Sequence, residues 1–135
     1  MMDPSRRKRQ EIAGELFGTI REYIQKRNGL CRSYIAPFAV FLNANDETYV
    51  EPDISVICDK TKLTDKRCFG APDWIIEIVS PGSKQMDYYT KPFQYRTLGV
   101  REYWIVDPEK DHILVYNSVI IHRKNGTAAS MITKP

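Results

Sequence analysis

Residues 51–91 read EPDISVICDKTKLTDKRCFGAPDWIIEIVSPGSKQMDYYTK, and this stretch decides the fold. Two runs within it alternate with period two. In the first, Glu51, Asp53, Ser55 and Ile57 share one face, and Pro52, Ile54, Val56 and Cys58 share the other. In the second, Asp73, Ile75, Glu77 and Val79 oppose Trp74, Ile76 and Ile78. Both faces are largely apolar, which marks strands buried in the middle of a sheet. An acid there is costly: a lone carboxylate removed from water neutralises, pairs with a cation or binds a metal ion. Asp53 and Glu77 therefore need a reason for their positions, and the expectation is that they hold a divalent ion together.

Downstream of the second run, Ser80-Pro81-Gly82-Ser83 breaks the pattern. A helix is expected from Met86 or Thr90 to Leu98, with Asp87, Lys91 and Tyr95 on one stripe and Gly99 as its stop. Pro92 fits only a first helical turn, so the helix starts near Lys91 or is kinked before it. Glu102 to Val106 reads as a further buried strand and Asp107 to Asp111 as a turn. His112 to Tyr116 and Val119 to Arg123 form a closing antiparallel pair, in which His112 and His122 read as structural.

Upstream, Ile12, Leu16, Ile20 and Ile24 recur at spacing four, predicting an amphipathic helix over Ser5 to Arg27 that Asn28-Gly29 ends. Cys31 to Leu42 reads as a strand around Pro37, and a turn at Asn43 to Asp46 leads to the run that begins at Tyr49. Asp59 to Gly70 is polar and aperiodic, a surface loop with one helical turn. Asp73, behind Pro72, reads as a capping acid. A helix between the third and fourth strands predicts a parallel crossover inside an otherwise antiparallel meander. The fold class is α/β, a mixed sheet covered by helices.

At 135 residues the chain is one domain with a real core, spanning 1–135. With 42% apolar and 27% charged residues its composition is globular and not disordered. The net charge of +3 permits a nucleic-acid partner without demanding one, and the run Arg6, Arg7, Lys8 and Arg9 reads first as a solvated helix start. Cys31, Cys58 and Cys68 are odd in number and lack metal-ligand spacing, so buried thiols in a reducing compartment are expected and zinc is not. No apolar stretch approaches the roughly 20 residues of a membrane helix, and the N-terminus lacks the apolar run of a signal peptide. The expectation is a cytoplasmic chain.

Phosphodiester hydrolysis requires stabilisation of charge on the phosphoryl group and an activated water. Magnesium serves both ends with one or two carboxylates plus waters and substrate oxygens. Asp53 and Glu77 supply such carboxylates, and the Ile78 carbonyl is a further ligand candidate. Lys91 would contact the scissile phosphate or orient the water. Asp87, one turn earlier, would add an acid or favour the charged lysine. The bland alternatives are a turn cap for Asp53, a buried ion pair with Lys91 or Arg96 for Glu77, and an ordinary spacing-four pair for Asp87 with Lys91.

From Ser5 to Tyr116 the sequence resembles the Uma-type family of endonucleases, within the PD-(D/E)XK, restriction-endonuclease-like superfamily. The resemblance is carried by Pro52-Asp53-Ile54-Ser55-Val56, by Gly70-Ala71-Pro72-Asp73 leading to Glu77-Ile78-Val79-Ser80-Pro81, by Asp87 with Lys91 and Tyr95, and by residues 99–108, GVREYWIVDP. It implies a restriction-endonuclease-like core acting on DNA with Mg2+, for which Mn2+ substitutes. Asp53 would be the first acid and Glu77 the acid of the (D/E)XK element. Val79 stands where that element normally has lysine, and Lys91 matches the lysine that the family supplies from the next helix. Family members usually begin with a further helix and strand-forming segment that is absent before Ser5. The competing expectation is a catalytically inactive nucleic-acid-binding or structural domain on the same core. A homodimer is the simplest way to cut two strands with one site per chain.

Overall fold

In the computed structural model, the described residues are 4–41, 49–80, 95, 99–117 and 121–125. Helix α1 (Pro4–Lys26) forms on the expected apolar stripe, with Ala13, Leu16 and Ile20 buried. It closes as the Asn28-Gly29 pair suggests. Asn28 takes the left-handed conformation (φ 50°) while Gly29 N–H bonds Ile24 C=O at 2.9 Å and Asn28 N–H bonds Gln25 C=O at 3.2 Å.

Eight strands follow among the described residues: β1 (Arg32–Ile35), β2 (Ala39–Phe41), β3 (Ile54–Ile57), β4 (Arg67–Phe69), β5 (Trp74–Ile78), β6 (Glu102–Asp107), β7 (His112–Asn117) and β8 (Ile121–Asn125). Six of them form a sheet in the order β1-β3-β5-β6-β7-β8. Only the β5–β6 pairing in that sheet is parallel, as the expected crossover requires. Tyr95 is helical, Gly99 adopts φ 100°, and Val100 N–H reaches Tyr95 C=O at 3.0 Å; the rest of the helix expected between Met86 and Leu98 lies outside the described residues.

Each central strand buries both faces, as the alternation of its apolar residues demands. On one face Ile54, Val56, Ile76, Ile78, Trp104, Val106, Ile113 and Val115 form one core with Ala13, Leu16 and Ile20 of α1. On the other, Ile57, Ile75, Val79, Tyr103 and Ile105 pack with Tyr95, Val40 and Cys68. Fully burying one such aliphatic chain contributes about 1.5–3 kcal/mol, so the two layers together dominate the stabilisation of the sheet.

Three expectations are corrected. Within the run expected as one strand from Cys31 to Leu42, the described residues form two, β1 and β2, with Pro37 between them. The segment from Asp59 to Gly70 contains a 3-10 turn at Lys60–Lys62, but also β4, which pairs in parallel with β2 in a separate small sheet. Cys31 and Cys58 are not thiols but a disulfide. They flank the antiparallel β1–β3 ladder, where the register Arg32↔Ile57 extends by one residue to Cys31 opposite Cys58. This pairing removes the thiol argument for a reducing compartment. Among the described residues no helix is long and apolar enough to cross a membrane.

Candidate active site

Asp53 immediately precedes β3, and Glu77 is the penultimate residue of β5. The antiparallel register pairs Ile54 with Ile76 and Ser55 with Ile75, so its continuation sets Asp53 opposite Glu77. Alternation puts both on the face away from α1, with Ser55, Ile57, Ile75 and Val79. Directly opposed residues on one face have Cβ atoms about 4.5–5.5 Å apart. Asp53 is fixed further by its own chemistry: its Oδ2 accepts the Ile78 N–H at 2.8 Å, where the backbone ladder has run out. In a regular strand the C=O of a residue faces the same side as its N–H, so the Ile78 carbonyl is directed toward Asp53.

Glu77 is 7% exposed and lies between Ile76 and Ile78, both within the α1-side core, on a strand flanked by β3 and β6. Ser55, two residues from Asp53 on the same face, is buried, and its Oγ has no hydrogen-bond partner among the described residues. Asp107 and His112 lie at the same end of the sheet, directly paired at the β6–β7 turn, and both are buried. Asp107 Oδ1 accepts the N–H groups of Glu109 at 3.1 Å and Lys110 at 3.3 Å, which shapes that turn.

At the opposite end the acids are structural. Asp73 Oδ2 accepts Cys58 N–H at 2.7 Å and its Oδ1 lies 3.7 Å from Arg101, bearing out its reading as a cap. Asp59 caps the 3-10 turn through Thr61, whose hydroxyl and N–H both donate to it and hold its carboxyl below the usual range. Cys68 is fully buried, and desolvation pushes its thiol up to about 11.

Comparison with known proteins adds the family. The model of the family Uma2, described as "Putative restriction endonuclease", matches residues 1–128. The chain belongs to the Uma2 family. Among solved structures, the crystal structure of a chain described as "a putative nuclease belonging to DUF820", from Anabaena variabilis ATCC 29413, superposes with a TM-score of 0.70 at 21% identity. The alignment covers 88% of this chain and 68% of that one, and establishes a shared nuclease-like fold. Among curated proteins none matches.

Within this Uma2 chain, the structure brings Asp53, Glu77 and Ile78 together at one end of the sheet. Asp87 and Lys91 lie outside the described residues. Tyr95, four positions after Lys91 in the sequence, is helical and buried on the acid-bearing face, with its ring 4.9 Å from that of Tyr103. Val79 is a core residue on that face. Sequence reasoning read Asp107 only as a turn residue and missed its burial; its alternation with Tyr103 and Ile105 was the available signal.

Proposed function

We propose that this Uma2 chain hydrolyses phosphodiester bonds in DNA as a magnesium-dependent endonuclease. The observation that carries this reading is the placement of Asp53 and Glu77 opposite each other on one face, at neighbouring strand ends, with Asp53 anchored on Ile78 N–H. The donor chemistry fits the ion. Two carboxylates and a carbonyl are hard oxygen ligands, suited to magnesium or manganese and poorly suited to zinc. Among the described residues no group of three or more His, Cys, Asp or Glu side chains is placed to hold a metal, and magnesium needs no such cage because it retains waters.

Asp53, Glu77 and the Ile78 carbonyl would hold the ion. When bound, it supplies Lewis-acid stabilisation of the phosphoryl oxygens and lowers the pKa of a water. The remaining work belongs to the chain. Lys91 is assigned to contact the scissile phosphate or orient the water, and Asp87 to favour the charged form of that lysine. The surrounding apolar layer limits water and strengthens electrostatic interactions at the site. A symmetric pair of chains would present one site to each DNA strand.

The test is cleavage of supercoiled plasmid DNA in magnesium or manganese. Asp53→Asn, Glu77→Gln and Lys91→Ala are each expected to abolish cleavage while the melting temperature stays near that of the unmodified chain. Asp53→Asn keeps an acceptor for Ile78 N–H, so it separates chemistry from folding. Near-normal cleavage by Glu77→Gln would overturn the mechanism.

A further inference from the structure

The small sheet carries a cluster of rings that neither core uses. Val40 and Cys68, the middle residues of β2 and β4, point into the acid-bearing face of the main sheet and are fully buried. Alternation therefore turns Phe41, Arg67 and Phe69 to the outer side. Phe41 and Phe69 pair in register, with ring centroids 5.5 Å apart, and Tyr49 lies 5.2 Å from Phe41. The Arg67 guanidinium sits 4.8 Å from the Phe41 centroid and 5.4 Å from that of Phe69. Tyr49, at the end of this group, is 52% exposed.

Tyr49 is also tied to the acid pair. Val50 exchanges both backbone hydrogen bonds with Val40, at 2.8 and 2.9 Å, so the residue after Tyr49 is anchored to β2. Only Val50, Glu51 and Pro52 separate Tyr49 from Asp53, a reach of at most about 14 Å in extended chain. The cation shown against the cluster is Arg67, and exposed Lys66 adjoins it in the sequence.

We propose that Tyr49, backed by Phe41 and flanked by Arg67, is a stacking site for an unpaired nucleobase on the strand whose phosphate reaches Asp53 and Glu77. The proposal rests on the nuclease reading and adds a substrate preference to it. An exposed aromatic ring offers a base a flat face without regard to its identity, while neighbouring cations meet the backbone charge. A ring at this reach from the acids favours substrates with an unpaired or flipped base a short distance from the cut. A continuous duplex would keep its bases inside the stack.

The experiment is fluorescence anisotropy of the full chain with a fluorescein-labelled single-stranded oligonucleotide in EDTA, which prevents cleavage. Tyr49→Ala is expected to weaken binding by about 5- to 150-fold, and Tyr49→Trp to retain it. In a series carrying one abasic site at successive positions, one position should weaken the unmodified chain and leave Tyr49→Ala unaffected. Equal binding by the unmodified chain and Tyr49→Ala, absence of any position dependence, or absence of oligonucleotide binding would overturn the proposal. So would a change from dimer to monomer in Tyr49→Ala with oligonucleotide binding unchanged, which would make the patch a subunit contact. Plasmid cleavage in magnesium separates the two readings. Cleavage that depends on Glu77 but not on Tyr49, with unaltered oligonucleotide binding, removes the stacking site alone. Tyr49-dependent binding without cleavage removes the catalytic reading alone.

Discussion

Asp73 and Asp53 show how the same side chain serves different ends of one sheet. Each accepts a backbone N–H that the ladder leaves over, Asp73 from Cys58 and Asp53 from Ile78. Asp73 has no acidic partner across the strands, so its role ends there. Asp73→Ala is expected to cost about 1–3 kcal/mol, the penalty for a part-buried donor left without an acceptor. Asp73→Asn should recover most of that loss. The Arg101 contact adds little because its side chain is 78% exposed, and urea denaturation of the Ala and Asn variants checks the assignment. Cys68 carries the pH dependence at this scale. Burial pushes its thiol up to about 11 in the fold, above the ordinary cysteine value. The native state therefore holds its proton where the unfolded chain has released it. This contribution is fully present below about pH 9 and is lost as pH rises toward 11. A thiol reagent at pH 8 should leave Cys68 unmodified in the folded chain and label it on unfolding.

At the scale of elements, strong periodicity was legible and short pairing was not. Helix α1 and strands β3, β5, β6 and β7 follow from apolar residues recurring at four or two. β2 and β4 have three residues each, too few for a period to register, and their partners lie far apart in the sequence. The disulfide was hidden for a related reason, since Cys31 and Cys58 meet only through the β1–β3 register. Its effect belongs to this level. It ties an edge strand to the strand that follows Asp53 across a separation of 27 residues, which stabilises by about 2–4 kcal/mol through the unfolded chain. Cys58→Ser should lower the denaturation midpoint accordingly. Thiol counting in denaturant should give one free group before reduction and three after it.

For the whole molecule, two apolar layers enclose a sheet whose buried acids, Glu77 and Asp107, lie toward one end of it. The acid pair was legible because a carboxylate inside an apolar period-two run contradicts burial, and Glu77 between Ile76 and Ile78 is the clearest instance. Ser55 was not singled out, because its burial depends on the β1–β3 and β3–β5 pairings. The part of the site built from Asp87 and Lys91 was read from spacing and family resemblance. The Uma2 membership fixes the family, and the fold shared with the Anabaena variabilis chain fixes the scaffold. The chemistry rests on whether Asp53 and Glu77 act on one ion. The most direct test is an anomalous difference map from crystals soaked in manganese. A single peak within ligand distance of both carboxylates and the Ile78 carbonyl is expected. Manganese bound elsewhere, with those two side chains uncoordinated, would contradict it.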